Sequence, residues 1–369
     1  MENFVVSARK YRPASFDSVV GQDHITTTLK NAINNNHLAQ ALLFCGPRGV
    51  GKTTCARIVA KMINNFEDND PSTAMNIYEL DAASNNSVDD IRNLVDQVRY
   101  APQHGKYKIY IIDEVHMLSN AAFNAFLKTL EEPPEYAIFI LATTEKHKII
   151  PTILSRCQIF DFNRIQVPET VAHLKEIAKK ENIEAEEEAL LLIAQKADGA
   201  LRDALSIFDL IVTYSSGKKL TYHDTIQNLH ILDYDYYFKL TDAFLEENLS
   251  EALLIFDDIL KQGFDGHNFL TGITAHFRDL LVCKDPATIQ LINVSESVKV
   301  KYLAQAEKAP MSFLLTALNL TNQSQIGYKG SKNQRLHVEL VLMKLAHISA
   351  AISLATNLPS QEALKKKAS

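Results

Sequence analysis

Apolar positions follow two regimes along the chain. Up to about residue 163, short runs rich in Ile, Leu, Phe and Tyr recur at 41–45, 77–80, 108–112, 137–142 and 157–162, separated by helical stretches such as 88–98 and 121–130. Runs this short predict strands, and strands that alternate with helices predict a parallel sheet covered by helices on both faces. After Arg164 the strand signal disappears. Val171, Leu174, Ile177 and Ala178 share one face of a helix that Pro168 can start, and further helices are predicted at 186–197 and 201–213. From about 229 to 356 the pattern is helical throughout, with stripes such as Leu253, Phe256, Ile259 and Leu260. No internal repeat is visible.

A length of 369 residues exceeds a single core and suits two or three domains. The hydrophobic share of 46% and charged share of 22% are those of a soluble globular protein. No apolar run approaches the ~18 residues of a membrane span. The start, Met1, Glu2, Asn3 and Phe4, lacks the basic-then-apolar order of a secretion signal, so a cytoplasmic protein without membrane contact is expected. Cys45, Cys55, Cys157 and Cys283 lie far apart, mostly in apolar stretches, and predict reduced core residues rather than disulfides or a zinc site. The net charge of −6 argues against a broadly basic nucleic-acid coat but leaves room for a local basic channel. The end, Lys365-Lys366-Lys367-Ala368-Ser369, is expected to be a solvated tail.

Gly46, Pro47, Arg48, Gly49, Val50, Gly51, Lys52, Thr53 and Thr54 complete a G-x-x-x-x-G-K-[ST] phosphate loop between the strand at 41–45 and a helix running from Lys52 to about Ile63. Gly46, Gly49 and Gly51 let the backbone curl so that several N–H groups face phosphates, and the helix N-terminus adds its partial positive charge. Lys52 is expected to neutralise the β- and γ-phosphates, and Thr53 to offer its hydroxyl to Mg²⁺. A second motif turns binding into hydrolysis. The strand at 108–112 ends in Asp113-Glu114-Val115-His116, where Asp113 is placed to hold the Mg²⁺ water shell and Glu114 to polarise the attacking water. An Asp-Glu pair at a strand end is by itself a common solvated cap; the phosphate loop upstream, at the spacing of a doubly wound sheet, favours the catalytic reading.

Ala142-Thr143-Thr144 ends the fourth strand, beside the strand carrying Asp113, so a hydroxyl there can orient the lytic water or touch the γ-phosphate. Ser155-Arg156-Cys157 stands just before the last strand, across the domain from the phosphate loop, where Arg156 can complete a neighbour's site as an arginine finger more easily than its own. Arg202, at the start of a helix, can swing onto the γ-phosphate as a lid closes. Alone, either arginine reads as a surface ion pair worth under about 1 kcal/mol.

Lys10-Tyr11-Arg12-Pro13, Val20-Gly21-Gln22, Asp113-Glu114-Val115-His116-Met117-Leu118, Leu127-Lys128-Thr129-Leu130-Glu131-Glu132-Pro133-Pro134, Ser155-Arg156-Cys157 and Leu201-Arg202-Asp203-Ala204-Leu205 together resemble the gamma/tau subunits of bacterial DNA polymerase III, ATPase motors of the sliding-clamp loader within the AAA+ class. The resemblance is specific over residues 4–210 and rests on helical pattern alone from there to about 356. It implies an α/β fold: an AAA+ P-loop NTPase core with a parallel sheet over 1–163, a three-helix lid over 164–228, an all-α collar for oligomerisation over 229–358 and a polar tail over 359–369. It implies ATP and Mg²⁺ as ligands, an adenine pocket lined by Tyr11, Arg12, Pro13, Val19 and Val20, Thr144 as sensor 1, Arg202 as sensor 2 and Arg156 acting in trans. The implied partners are delta and delta-prime subunits in a five-membered ring with copies of this chain, the sliding clamp, primer–template DNA, and the polymerase III core where a longer tau form exists.

Two features depart from the family. Most members insert four cysteines as a zinc module after the phosphate-loop helix; residues 64–72 contain none, so no zinc is expected. The chain stops soon after the collar, so the long carboxyl-terminal extension of tau is expected to be missing, leaving a gamma-like motor or a truncated tau. Two other readings stay open. A Holliday-junction helicase or related AAA+ remodeller shares the phosphate loop and Arg sensor but lacks the Ser-Arg-Cys and Leu-Glu-Glu-Pro-Pro segments. A non-enzymatic loader subunit of the delta-prime type keeps Ser-Arg-Cys but has usually lost a working phosphate loop, and the intact Lys52, Thr53, Asp113 and Glu114 count against it. Ser84-Asn85-Asn86-Ser87, ahead of the helix at 88–98, is either a contact to the DNA backbone or a plain N-cap. No carboxylate cluster for two-metal nucleotidyl transfer accompanies the ATPase pair, so polymerisation by this chain is not expected.

Overall fold

The computed structural model describes residues 5–66, 72–215, 219–229 and 231–357. The tail at 359–369, and residues 67–71 of the connection where zinc was judged absent, lie outside the described residues. The chain divides into two compact units, Met1–Thr221 and Tyr222–Ser369.

The first unit is built on a parallel sheet of β1 (Ala41–Cys45), β2 (Ile77–Asp81), β3 (Lys108–Asp113), β4 (Ala137–Thr143) and β5 (Gln158–Asp161), in the order β2-β3-β4-β1-β5. Strands β1, β3 and β4 are central and buried on both faces, which is why they read as continuous apolar runs; the edge strands β2 and β5 are partly exposed. Leu43, Tyr110, Phe139 and Leu141 pack on one face with Ile91 and Phe126, while Leu42, Phe44, Ile111 and Ile140 pack on the other with Leu29, Ile58 and Val59. Register aligns Cys45 with Thr143 and Ile112 with Leu141, so the residues following β1, β3 and β4 emerge along one edge of the sheet. Helix Val88–Val98 opens on a capping box: the Ser87 hydroxyl accepts from the Asp90 N–H, and the Asp90 carboxylate accepts from the Ser87 N–H. Ser87 is therefore an N-cap, whatever else residues 84–87 contact.

Helices Val167–Lys180, Glu187–Lys196 and Leu201–Tyr214 pack on one another and bury Leu174, Ile177, Leu190, Ile193 and Phe208. Strand structure does not end at Arg164, as the pattern suggested: Glu184–Ala185 and Lys219–Leu220 form a short parallel ladder. Two residues carry no period, so hydrophobic patterning cannot register them. Helix Tyr222–Leu229, which the sequence reading grouped largely with the lid, belongs to the second unit.

The described part of the second unit is helical, with Phe244, Phe256, Phe269, Ile273, Phe277, Phe313 and Leu342 in one core. Among the described residues, no single helix is long and apolar enough to cross a membrane. All four cysteines are free; Cys45, Cys55 and Cys283 are buried and Cys157 is half-buried. Burial pushes the Cys45 thiol up to about 11 and the Cys55 thiol up to about 12, leaving both unreactive at neutral pH.

Candidate nucleotide site

From Cys45 the chain turns at Gly46 (φ 147°), where a Cβ would stand 2.4 Å from the Phe162 carbonyl oxygen; only glycine fits. Gly51 (φ 104°) makes the second sharp turn, from which helix Lys52–Asn64 starts. This winding buries Lys52, which is 6% exposed, and its ammonium donates to the carbonyls of Gly46 (2.6 Å) and Pro47 (2.7 Å). Burial lowers the Lys52 pKa, and the nearby Glu114 and Asp113 carboxylates act in the opposite sense. A buried ammonium held by neutral carbonyls at a helix N-terminus suits an anion.

Thr53 donates its hydroxyl to Asp113 Oδ2 at 2.7 Å, and Asp113 Oδ1 accepts from the Glu114 N–H at 3.0 Å. A hydroxyl and a carboxylate oxygen in contact are the hard oxygen donors that Mg²⁺ takes, one or two from protein and the rest from phosphate and water. Accordingly, no cage of three or more His, Cys, Asp or Glu is needed, and none occurs among the described residues. Glu114 has a left-handed backbone (φ 48°), and its Oε2 accepts from both the N–H (3.2 Å) and the hydroxyl (2.9 Å) of Thr144.

These groups border a cavity of about 430 Å³. Tyr11, Arg12, Pro13, Val19 and Val20 line it from the N-terminal segment, Arg48, Gly49, Val50, Gly51, Lys52, Thr53 and Thr54 from the phosphate loop, Asp113 and Glu114 from the end of β3, and Arg202 from the helix Leu201–Tyr214. Gly46 and Pro47 are not among the lining residues but supply the carbonyls under Lys52, and Thr144 joins through Glu114. Arg156 also does not line the cavity: its guanidinium donates to the Thr152 carbonyl at 2.7 Å and pairs with Glu131 at 2.6 Å.

Several participants went unmarked in the sequence. Ala8, Asp81, Ala83 and Ile165 also line the cavity, together with Leu201 and Leu205, which flank Arg202 in the segment shared with the family but carried no assigned role. Asp209 accepts from the Ser7 N–H at 2.7 Å, and Glu181 accepts from the Tyr11 hydroxyl, so the lid helices hold the N-terminal segment. The Arg202 N–H donates to the Gly49 carbonyl at 3.3 Å, tying the lid helix to the phosphate loop. Gln22 is fully buried; its side chain donates to the Asn163 carbonyl at 2.7 Å and accepts from the Asn163 N–H at 3.3 Å. These contacts cross more than a hundred residues of chain; Tyr11, Gln22 and Arg202 lay in segments that the family resemblance had marked, whereas Ser7, Asn163, Glu181 and Asp209 did not.

Three family models match in succession: "DNA polymerase III, delta subunit" over residues 21–166, "DNA polymerase III clamp loader subunit, ATPase lid domain" over 169–217, and "DNA polymerase III subunits gamma and tau domain III" over 224–359. DNA polymerase III subunit tau of Bacillus subtilis (strain 168) is 40% identical over 97% of this chain and 66% of its own length. Subunit gamma of Buchnera aphidicola subsp. Baizongia pistaciae is 33% identical over 94% of this chain and 98% of its own. The chain spans 54% of the Mycoplasma genitalium gamma/tau subunit, so some relatives are nearly twice as long. A solved structure of the Thermotoga maritima RuvB Holliday junction branch migration motor is 22% identical over 64% of this chain and 80% of that one, at a TM-score of 0.49, too remote to weigh in the assignment. With successive matches to core, lid and third domain, and a gamma subunit matched almost end to end, the chain belongs to the gamma/tau family of DNA polymerase III clamp-loader subunits.

Proposed function

We propose that this chain is an ATPase motor subunit that uses ATP binding and hydrolysis to load a sliding clamp onto primed DNA in the bacterial cytoplasm. The observation that carries the reading is the continuous hydrogen-bonded line from Thr53 through Asp113 and Glu114 to Thr144, beside the buried Lys52 ammonium. A subunit that only binds has no use for the last two members. Lys52 and the loop N–H groups would bind the β- and γ-phosphates, with Tyr11, Arg12, Pro13, Val19 and Val20 around the base. Mg²⁺, held by Thr53 and Asp113, would supply Lewis-acid polarisation of phosphate oxygens. Glu114 would take the proton of the lytic water, with Thr144 orienting it. Arg202 would sense the γ-phosphate from the lid, and Arg156 would serve the neighbouring subunit's site in a ring with delta, delta-prime and copies of this chain. Primer–template DNA would lie along the ring's channel, its backbone met by polar groups such as Asn85 and Asn86 without sequence readout. Loss of the γ-phosphate would release Thr144 and Arg202, and with them clamp and DNA.

ATP turnover by the purified chain, alone and with partner subunits, clamp and primed DNA, tests this reading. Turnover stimulated several-fold by clamp and primed DNA together is the expected result. No turnover in any combination would identify a non-enzymatic subunit, and stimulation by four-way junctions but not by the clamp would identify a branch-migration motor.

A further inference from the structure

We propose that His116 is a positioning residue for hydrolysis, fixing the Glu114 carboxylate to the residues at the end of β4; the inference rests on Glu114 being the base. His116 lies in the one-turn helix Val115–Met117 that follows β3, and its side chain is 6% exposed. One edge of the ring faces two groups at once: Nδ1 is 3.0 Å from Thr143 Oγ1 and 3.4 Å from Glu114 Oε2. The other edge faces a third, with Nε2 3.4 Å from Glu145 Oε1. Thr143 is fully buried, and its Oγ1 also accepts from the Glu145 N–H at 3.0 Å. The imidazole therefore sits at the centre of a group in which Glu114 contacts Thr144 directly and reaches Thr143 and Glu145 through the ring.

The physical need lies in Glu114 itself. A glutamate carboxylate turns on three torsions, and a general base is useful only when held in one direction. Thr144 bonds a single oxygen, Oε2, from one side. The His116 edge, 3.4 Å from the same oxygen, limits how far that oxygen can move away from Thr144, and the ring is itself held between Thr143 and Glu145. Neither side chain of this outer pair lines the nucleotide cavity, and neither does His116, so the ring acts on the reaction only through Glu114.

Substitution in the full chain, assayed in the assembled complex, tests the proposal. His116→Ala should lower kcat by at least about tenfold, the order expected of a misdirected catalytic group, while KM and the Kd for a non-hydrolysable ATP analogue stay within about twofold. His116→Asn places an amide near the former Nδ1, within reach of Thr143 and Glu114, and should recover most of the loss. His116→Gln places its amide at the far edge and should not. In a Glu114→Gln background, His116→Ala should have no further effect on residual turnover. Parent-like kcat in His116→Ala, parallel loss of kcat and nucleotide affinity, or equal behaviour of the Asn and Gln variants would each overturn the proposal. The Asn–Gln comparison decides the matter even if the Ala variant does not fold. Absence of turnover in the parent complex would overturn the hydrolase reading and this inference with it, whereas active parent and active His116→Ala overturn this inference alone.

Discussion

Lys52 and Glu114 line one cavity, yet their surroundings assign them separable tasks. Lys52 is a buried cation bonded to two carbonyls, so what it offers is charge for a phosphate. Glu114 is the last carboxylate in the line that starts at Thr53 and accepts from Thr144 at its end, so what it offers is a directed carboxylate. Lys52→Ala should therefore weaken ATP binding by about 2–5 kcal/mol, the usual loss when one partner of a buried charge pair is removed. Glu114→Gln keeps an oxygen for Thr144 to donate to, and should bind ATP and Mg²⁺ normally while losing about 10²–10⁴ in turnover. Calorimetric titration beside a turnover assay checks both; unchanged affinity in the first variant or parent-like turnover in the second would remove the assigned role. Both residues are legible in sequence because their motifs are local. His116 was quoted in the same motif without a role, since its partners Thr143 and Glu145 become neighbours only when β3 and β4 pair.

Among elements, β1 and the helix Val88–Val98 follow the pattern to the residue, because a fully buried run and a capped amphipathic helix both announce their ends. The ladder of Glu184–Ala185 and Lys219–Leu220 was invisible for want of length, and the placement of helix Tyr222–Leu229 depends on packing that no local signal reports. A further element-level feature, in the second unit, also escaped the pattern. His276, 1% exposed on helix Gly266–Val282, lies with Nε2 3.0 Å from Gln305 Oε1 and Nδ1 3.1 Å from the Tyr302 hydroxyl, both on helix Glu296–Lys308. The Gln305 amide N–H₂ donates to the Phe238 carbonyl and to Asp242, each at 2.8 Å, so three helices share one buried network. Gln305 Oε1 must accept, hence His276 donates from Nε2, accepts at Nδ1 and is neutral. Burial holds its pKa at about 3, below the ordinary 6.5. With the folded value depressed, this histidine's stabilising contribution is complete above 6.5 and is lost as pH falls towards 3. The loss is ~1.4 kcal/mol per unit within that window. Between pH 7 and 5 the stability gap between the parent and His276→Gln should therefore narrow by about 2 kcal/mol. Thermal unfolding of the full chain at both pH values measures it, and a gap that stays constant would mean that His276 is not the group titrating.

For the molecule in a larger assembly, Arg156 is the residue whose expected role lies outside its own subunit, and its placement away from the cavity is compatible with that role. It belongs to the same unit as the cavity, lines none of it, and is a third exposed, paired with Glu131 and the Thr152 carbonyl. An exposed pair of this kind contributes at most about 1 kcal/mol, so a competing phosphate on a neighbouring subunit could displace Glu131 at small cost. In arginine-finger systems the guanidinium steadies charge spreading over the transferring phosphoryl group, worth about 10³–10⁵ in rate. Arg156→Ala should consequently bind ATP as the parent does in the isolated chain, yet fail to give stimulated hydrolysis in the complex. Mixing variants separates a trans role from a merely structural one. Complexes containing Arg156→Ala and Lys52→Ala subunits side by side should recover part of the turnover, because some interfaces then bring an intact Lys52 pocket against an intact Arg156. Native mass spectrometry establishes that both variants occupy one ring. If such rings remain as inactive as either variant alone, Arg156 serves its own site or only the local fold, and hydrolysis does not depend on an Arg156 contact between neighbours.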